Sequence, residues 1–325
     1  MHYGFWKKLP KPIMVLAPMY DVTDAAFRAV IAKHGKPDVI WTEFVSAEGL
    51  NHPEGQKRLM HHFRFAPEER PIVAQIFGSH PEAFAPVAEM IRGLGFDGID
   101  INMGCPDKSM VKQGSCAALF RTPELAQEII RETKRGAGDL PVSVKIRIGD
   151  SKVDWKNWIL ALLAAEPAAI TIHLRTRKEM SKVPAHWELM PEIVKFIHAH
   201  TTEENRPLII GNGDIHTLDA ARQKIVESGC DGVMIGRGIF GNPWLFNPEY
   251  GPGKREPTQK QKLEALLEHS ALFRENFDGT KSFEIMKKHY KAYVSGFDGA
   301  AELRAQLMEA KQYEDVEAII RPLIK

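Results

Sequence analysis

Eight short apolar runs, set apart by stretches of helical pattern, constrain this chain more than any other feature. They fall at residues 13–17, 39–42, 72–76, 98–102, 142–146, 169–173, 208–211 and 233–236. Each is nearly continuous in Val, Ile and Leu rather than alternating. Strands buried on both faces have that character, and parallel sheets covered by helices require it. Between them, Thr23 precedes a pattern over 25–31, Ser79 with Pro81 precedes 84–94, and Thr122 with Pro123 precedes 125–133. Ser or Thr followed by proline marks a helix start, because proline's missing N–H costs nothing in the first turn. Phe84, Val87, Ile91 and Leu94 then share one helical face. Two helices end in similar phrases, Gly95-Phe96-Asp97-Gly98 and Gly229-Cys230-Asp231-Gly232; glycine there stops the helix and turns the chain into a strand.

Eight strand–helix units over roughly 250 residues predict an α/β fold, a (β/α)8 TIM barrel spanning residues 1–247. Pro248, Gly251, Pro252, Gly253 and Pro257 then mark residues 248–257 as a linker. Residues 258–325 read as a small all-helical domain, with Phe283, Met286, Tyr290 and Tyr293 in one apolar stripe and Lys287, Lys288 and Lys291 off it. Nothing approaches the roughly 18 apolar residues of a membrane helix, and the start lacks a secretory apolar stretch, so a cytoplasmic protein away from membranes is expected. Cys105, Cys116 and Cys230 form no CxxC pair, which argues against disulfides and zinc. His61 with His62 and His198 with His200 have no further ligand at metal spacing and read as surface pairs; no metal is expected. A net charge of +1 leaves a nucleic-acid partner open.

In such barrels the active site lies at the C-terminal ends of the strands. Nearly every run here delivers a polar or unusual residue there: Pro18 and Met19, Glu43, Gln75, Asn102 with Cys105 beyond it, Lys145, His173, Asn212, and Gly236 with Arg237. The last two runs end in Gly211-Asn212-Gly213-Asp214 and Gly236-Arg237-Gly238. Glycine turns let backbone N–H groups approach an anion, and barrels often bind phosphate after strands 7 and 8, so a phosphorylated ligand is implied. Residues 236–241 also match GxGxxG, but Pro243 follows with no further βα unit, which rejects a dinucleotide fold. Lys145 could form a Schiff base, or lend positive charge to a cofactor whose reduced form is an anion; spacing does not choose. Cys105, in Asn102-Met103-Gly104-Cys105-Pro106, sits in a loop suited to chemistry rather than packing.

These residues match a known family. Leu16 to Met19 with Val22-Thr23-Asp24, Gln75 to Gly78, Asn102 to Pro106, Val144 to Arg147, His173 with Arg175-Thr176-Arg177, Gly211 to Ile215, and Gly236 to Pro243 resemble the tRNA-dihydrouridine synthases. The tail's Arg304, after Gly296 to Ala300, resembles that family's RNA-binding helical domain. The resemblance implies FMN in the barrel mouth, reduced by NADPH, passing a hydride to C6 of a uracil while Cys105 protonates C5. It implies that Pro18, Met19, Tyr20, Gln75, Lys145 and His173 contact the flavin, and that Asn212, Gly213, Asp214, Gly236 and Arg237 hold its phosphate. Glu43, Asn102, Arg147, Arg175 and Arg177 would face the substrate. At an ordinary pKa near ~8.5 the Cys105 thiol would be protonated at neutral pH and able to donate. The partner would be tRNA, met by a monomer whose rim cations track phosphate: Lys108, Lys112, Arg121, Lys178, Lys182, Lys281, Lys287, Lys288 and Lys291. The chain departs from the family pattern at Tyr20-Asp21 and over 180–184, both near the substrate entrance. Rival readings are a dihydroorotate-type FMN oxidoreductase, a Schiff-base aldolase using Lys145, and an RNA-binding barrel without catalysis.

Overall fold

The computed structural model describes residues 3–325. Its strands are β1 Ile13–Leu16, β2 Ile40–Trp41, β3 Val45–Ser46, β4 Ile72–Phe77, β5 Gly98–Met103, β6 Val142–Arg147, β7 Ala169–His173, β8 Leu208–Asn212 and β9 Gly232–Ile235. All pair in parallel, in the order β1-β9-β8-β7-β6-β5-β4-β2, with β3 also on β4. The ring closes where Val15 bridges Val39 and the Leu16 N–H donates to the Val39 carbonyl at 3.3 Å. This is the expected barrel, with one difference. The second run, 39–42, is strand only over Ile40–Trp41, and a further short segment, Val45–Ser46, follows beyond it.

The break is a bulge. Trp41 pairs with Val73 and Val45 with Ile76, so four steps on one strand oppose three on the other. An extra residue bends a strand and re-aims its side chains. Here it places Glu43 inside, wholly buried, while the Thr42 hydroxyl accepts the Gln75 N–H at 3.0 Å.

Strand side chains alternate between two apolar layers. Ile13, Val15 and Ala17 pack within the barrel with Trp41, Val73 and Ala169, whereas Met14 and Leu16 join the layer beneath the helices. Trp6, on the N-terminal turn, adds its ring to Trp41 at 5.8 Å. The expected helices lie at Ala25–Gly35, Phe84–Gly93 and Pro123–Ala137, the last with Pro123 in its first turn. Asp24, not Thr23, caps the first by accepting the Phe27 N–H at 3.0 Å.

Residues beyond 258 form helices Gln259–Phe277, Lys287–Tyr293, Ala300–Glu309 and Tyr313–Ile320. Thr258 and Gln261 cap the first reciprocally, each accepting the other's backbone N–H at 3.2 and 3.0 Å. Met286, Tyr290 and Tyr293 of the apolar stripe are fully buried. Helix Gln259–Phe277 packs along helix Ala25–Gly35, with His269 stacked on Phe27 at 4.8 Å. Among the described residues, no helix is long and apolar enough to cross a membrane.

Candidate active site

The strand ends open into a cavity of about 300 Å³, a size typical of small-molecule sites. Pro18, Met19, Lys145, His173, Asn212, Gly213, Asp214, Gly236 and Arg237 line it, and so do Arg147 and Arg175. Tyr20, Glu43, Gln75, Asn102, Cys105 and Arg177 stand outside the lining. Met180, Ser181, Ile215, His216 and Met234 line the cavity as well, and strand-end reasoning passed over them. Ile215 and His216 could have been reached from the phosphate-turn motif; loop residues Met180 and Ser181 left no periodic signal.

Lys145 rises from β6 and donates to the Asn212 side-chain oxygen at 3.3 Å. Asn212 is held in turn by its amide donating to the Met234 carbonyl at 2.8 Å. Burial, and then the neighbouring Arg147 guanidinium, pull the Lys145 ammonium down to about 8. Beneath it Gln75 and Asn102 serve the scaffold. Gln75 donates to Asp100 at 2.7 Å, the Ser143 hydroxyl donates to Asp100 at 2.6 Å, and burial still lifts that carboxyl to about 6.

On the β7 and β8 side the groups lock one another. Gly213 has φ +136°, and a Cβ there would stand 2.6 Å from the Ala185 Cβ; only glycine makes this turn without strain. Asp214 takes hydrogen bonds from Arg175, from Arg237 at 2.6 Å and from the Ala185 N–H at 2.8 Å. These partners overcome burial and keep it below the usual carboxylate range. Arg175 also donates to His173 Nε2 at 3.3 Å. Burial first, and then Lys145 and the surrounding arginines, hold His173 neutral. Arg147 clips two loops together, donating to the carbonyls of Gly104 at 2.7 Å, Thr176 at 3.0 Å and Met180 at 3.2 Å. Arg177 is drawn away and pairs with Asp150, which also holds Arg121 at 2.9 Å.

The Asn102 side-chain oxygen accepts the N–H groups of Gly104 and Cys105, both at 3.0 Å, and so shapes the loop that presents the thiol. Pro106, the next residue, lines the cavity. Cys116 lies beside Cys105: the Ala117 N–H donates to the Cys105 carbonyl at 3.2 Å. Cys116 is buried at φ +56°, a region where non-glycine residues are uncommon. Its thiol, against the opposing pull of burial, lowers Cys105 to about 7. The ordinary thiol value expected from sequence is therefore corrected downward.

Glu43 makes no pair with Lys145; its partners are His62 and Lys281. Its oxygens accept His62 Nδ1 at 3.0 Å and Lys281 Nζ at 3.0 and 2.9 Å. Burial pushes this carboxyl up, yet those bonds hold it at about 2. His62 is accordingly buried, not on the surface as its spacing suggested. Arg177 and Glu43 thus take structural partners, while Arg147, Arg175, Arg237 and Lys145 share one space.

The protein-family model for "Dihydrouridine synthase (Dus)" matches residues 15–324. The chain belongs to the dihydrouridine synthase family. It is 42% identical over 322 residues to a "Probable tRNA-dihydrouridine synthase" of Staphylococcus aureus (strain COL), covering 98% of this chain and 95% of that one. It is likewise 42% identical over 324 residues to the "Probable tRNA-dihydrouridine synthase 2" of Bacillus subtilis (strain 168), covering 98% and 96%. Histamine dehydrogenase from Rhizobium sp. 4-9 shares the fold at TM-score 0.56 and 12% identity over 80% of this chain; the match spans about half of that longer protein, 48%. Membership makes the protein an oxidoreductase and sets aside the aldolase reading of Lys145. Among the described residues, no three His, Cys, Asp or Glu are grouped to hold a metal ion.

Proposed function

We infer that this protein reduces uridine in tRNA to 5,6-dihydrouridine, with FMN held in the strand-end cavity and NADPH as its reductant. The observation that carries the reading is the charge of that cavity. Lys145, Arg147, Arg175 and Arg237 converge on it, and the single carboxylate among its lining residues, Asp214, is already bonded to two of the arginines. Such a donor set suits a phosphorylated, electron-rich guest. The Gly213 and Gly236 turns and Arg237 would hold the phosphate, Pro18 and Met19 would pack along the ring system, and Lys145, oriented by Asn212, would sit beside it. When bound, FMN supplies the hydride that goes to C6 of the uracil.

The rest belongs to the protein's own side chains. Lys145, half-buried and cationic, favours negative charge developing near it, since charge interactions strengthen where water is excluded. Cys105 Sγ, on a loop fixed by Asn102 and Arg147, delivers the proton to C5 and would recover one from solvent. His173, held neutral, can accept from Arg175 without adding a further positive charge beside Lys145. A uracil in folded RNA must be splayed out to arrive here, at a cost of a few kcal/mol that contacts to the rim must offset. Exposed lysines suited to phosphate are Lys108, Lys112, Lys178, Lys182, Lys288 and Lys291.

Two measurements test the reading together. The purified protein should be yellow with a flavin spectrum, and tRNA from cells lacking the gene should lose dihydrouridine at one or more positions. A colourless protein, or unchanged dihydrouridine at every position with no second synthase present, would sink it.

A further inference from the structure

Tyr20 is where the resemblance and the geometry part company. The resemblance puts its ring along the flavin, but the residue lies outside the cavity lining and is 49% exposed, immediately after Met19, which does line it. An aromatic ring left half open beside a cationic cavity keeps an apolar face free for a planar guest. The ring is not loose. It packs on Phe44 and His62 at centroid distances of 5.5 and 5.6 Å, and Lys281 Nζ lies 5.9 Å from its centroid.

What fixes it is a buried ion cluster built from four parts of the chain. Glu43, aimed inward by the bulge, accepts the backbone N–H of Asp21 at 2.6 Å, and Asp21 stands at φ +54°. The same carboxylate accepts His62 and Lys281. Lys281 comes from the helical tail, 6% exposed at its side chain, and also reaches Asp21 at 3.5 Å. The turn carrying Tyr20 is thus tied to the tail, through the buried Lys281 and, at its surface, through Lys288, 3.7 Å from the other Asp21 oxygen. A second apolar side chain, Met180, flanks the cavity on the β7 loop at 46% exposure, its carbonyl clipped by Arg147.

Resting on the reading that RNA is the substrate, we propose that Tyr20 is a stacking surface for an unpaired base of the substrate RNA, and that Lys281 is the positioning residue that holds it there through Glu43. A base leaving its stack in RNA loses neighbours on both faces, and an aromatic ring at the entrance replaces one of them. Tyrosine suits the task at little entropic cost, since it has only two side-chain torsions to fix. Holding the ring from the tail couples the region that would grip the RNA body to the point where one base must be turned out.

The test measures binding as well as turnover, using full-length protein and tRNA made without modification. Tyr20→Ala should raise Kd and KM for tRNA about tenfold, within the range of a lost base–aromatic stack, and Tyr20→Phe should stay within about twofold of the native protein. Lys281→Met is made together with Glu43→Gln, so that no buried charge is left unpaired. This double variant should reproduce the tenfold rise with kcat preserved, and Lys281→Arg alone should restore most of the affinity. Unchanged Kd in Tyr20→Ala overturns the stacking role, as does loss of flavin in that variant, which would put the ring on the cofactor. Native affinity in the double variant overturns the role of Lys281. If native protein binds tRNA in a Tyr20-dependent way yet forms no dihydrouridine, the proposed reaction fails and this inference stands; if it does not bind tRNA, both fail.

Discussion

At the scale of single residues, the thiol pair decides most. Cys105 is brought to about 7 chiefly by the Cys116 thiol beside it, so near neutrality about half of the proposed proton donors remain loaded. A general acid works in its protonated form, so its rate falls as pH rises through its pKa. Single-turnover dihydrouridine formation should therefore decline above about pH 7, and a flat profile up to pH 9 would exclude Cys105 as the donor. Cys116→Ala removes the lowering partner and should move that decline up by about one pH unit, toward the ordinary thiol value. Cys105→Ala should keep its flavin and lose at least about 100-fold in turnover, the contribution usual for a positioned acid; loss of flavin would mean the thiol serves the fold instead.

At the scale of elements, the contact between helices Ala25–Gly35 and Gln259–Phe277 contains a sensitivity to acid. His269 and His289 are fully buried against Phe27 and each other, with ring centroids 4.5 to 4.8 Å apart and no hydrogen-bond partner for any ring nitrogen. Burial depresses both, His289 to about 3. The unfolded chain binds a proton on each near ~6.5, and the folded chain does not. Stability contributed by the neutral pair is therefore complete above that pH and is lost as pH falls below it. At pH 5 the loss from His289 alone is on the order of 2 kcal/mol. Thermal melts between pH 5 and 8 should show a steep drop that His289→Phe flattens; an identical drop in that variant would place the acid sensitivity elsewhere. The bulge between β2 and β3 belongs to this scale too. The sequence shows no sign of the second segment, because Thr42 and Glu43 end the apolar run before the chain returns to the sheet at Val45.

At the scale of the whole molecule, a chain of net charge +1 presents lysines at several points around its mouth while its arginines there are bound internally. Arg121 and Arg177 are taken by Asp150, Arg175 by Asp214, and Lys281 by Glu43. Exposed lysines then make most of the phosphate contacts under the proposed function. If three of them do so, tRNA affinity should fall about fortyfold between 50 and 200 mM salt. Binding measured across that range checks it, and a salt-independent Kd would remove these lysines from the interface.

The barrel was legible in the chain, because doubly buried parallel strands must read as unbroken apolar runs and their helices must announce where they begin. Just as legible there was that Lys145, His173, Asn212 and the two glycine turns stand at strand ends, since position along a strand is a local property. Which partner each charge takes was settled by the folded arrangement. Glu43 meets Lys281 across 238 residues, Arg177 turns to Asp150, and Cys116 comes against Cys105, because pairing depends on distances in space that spacing along the chain does not encode.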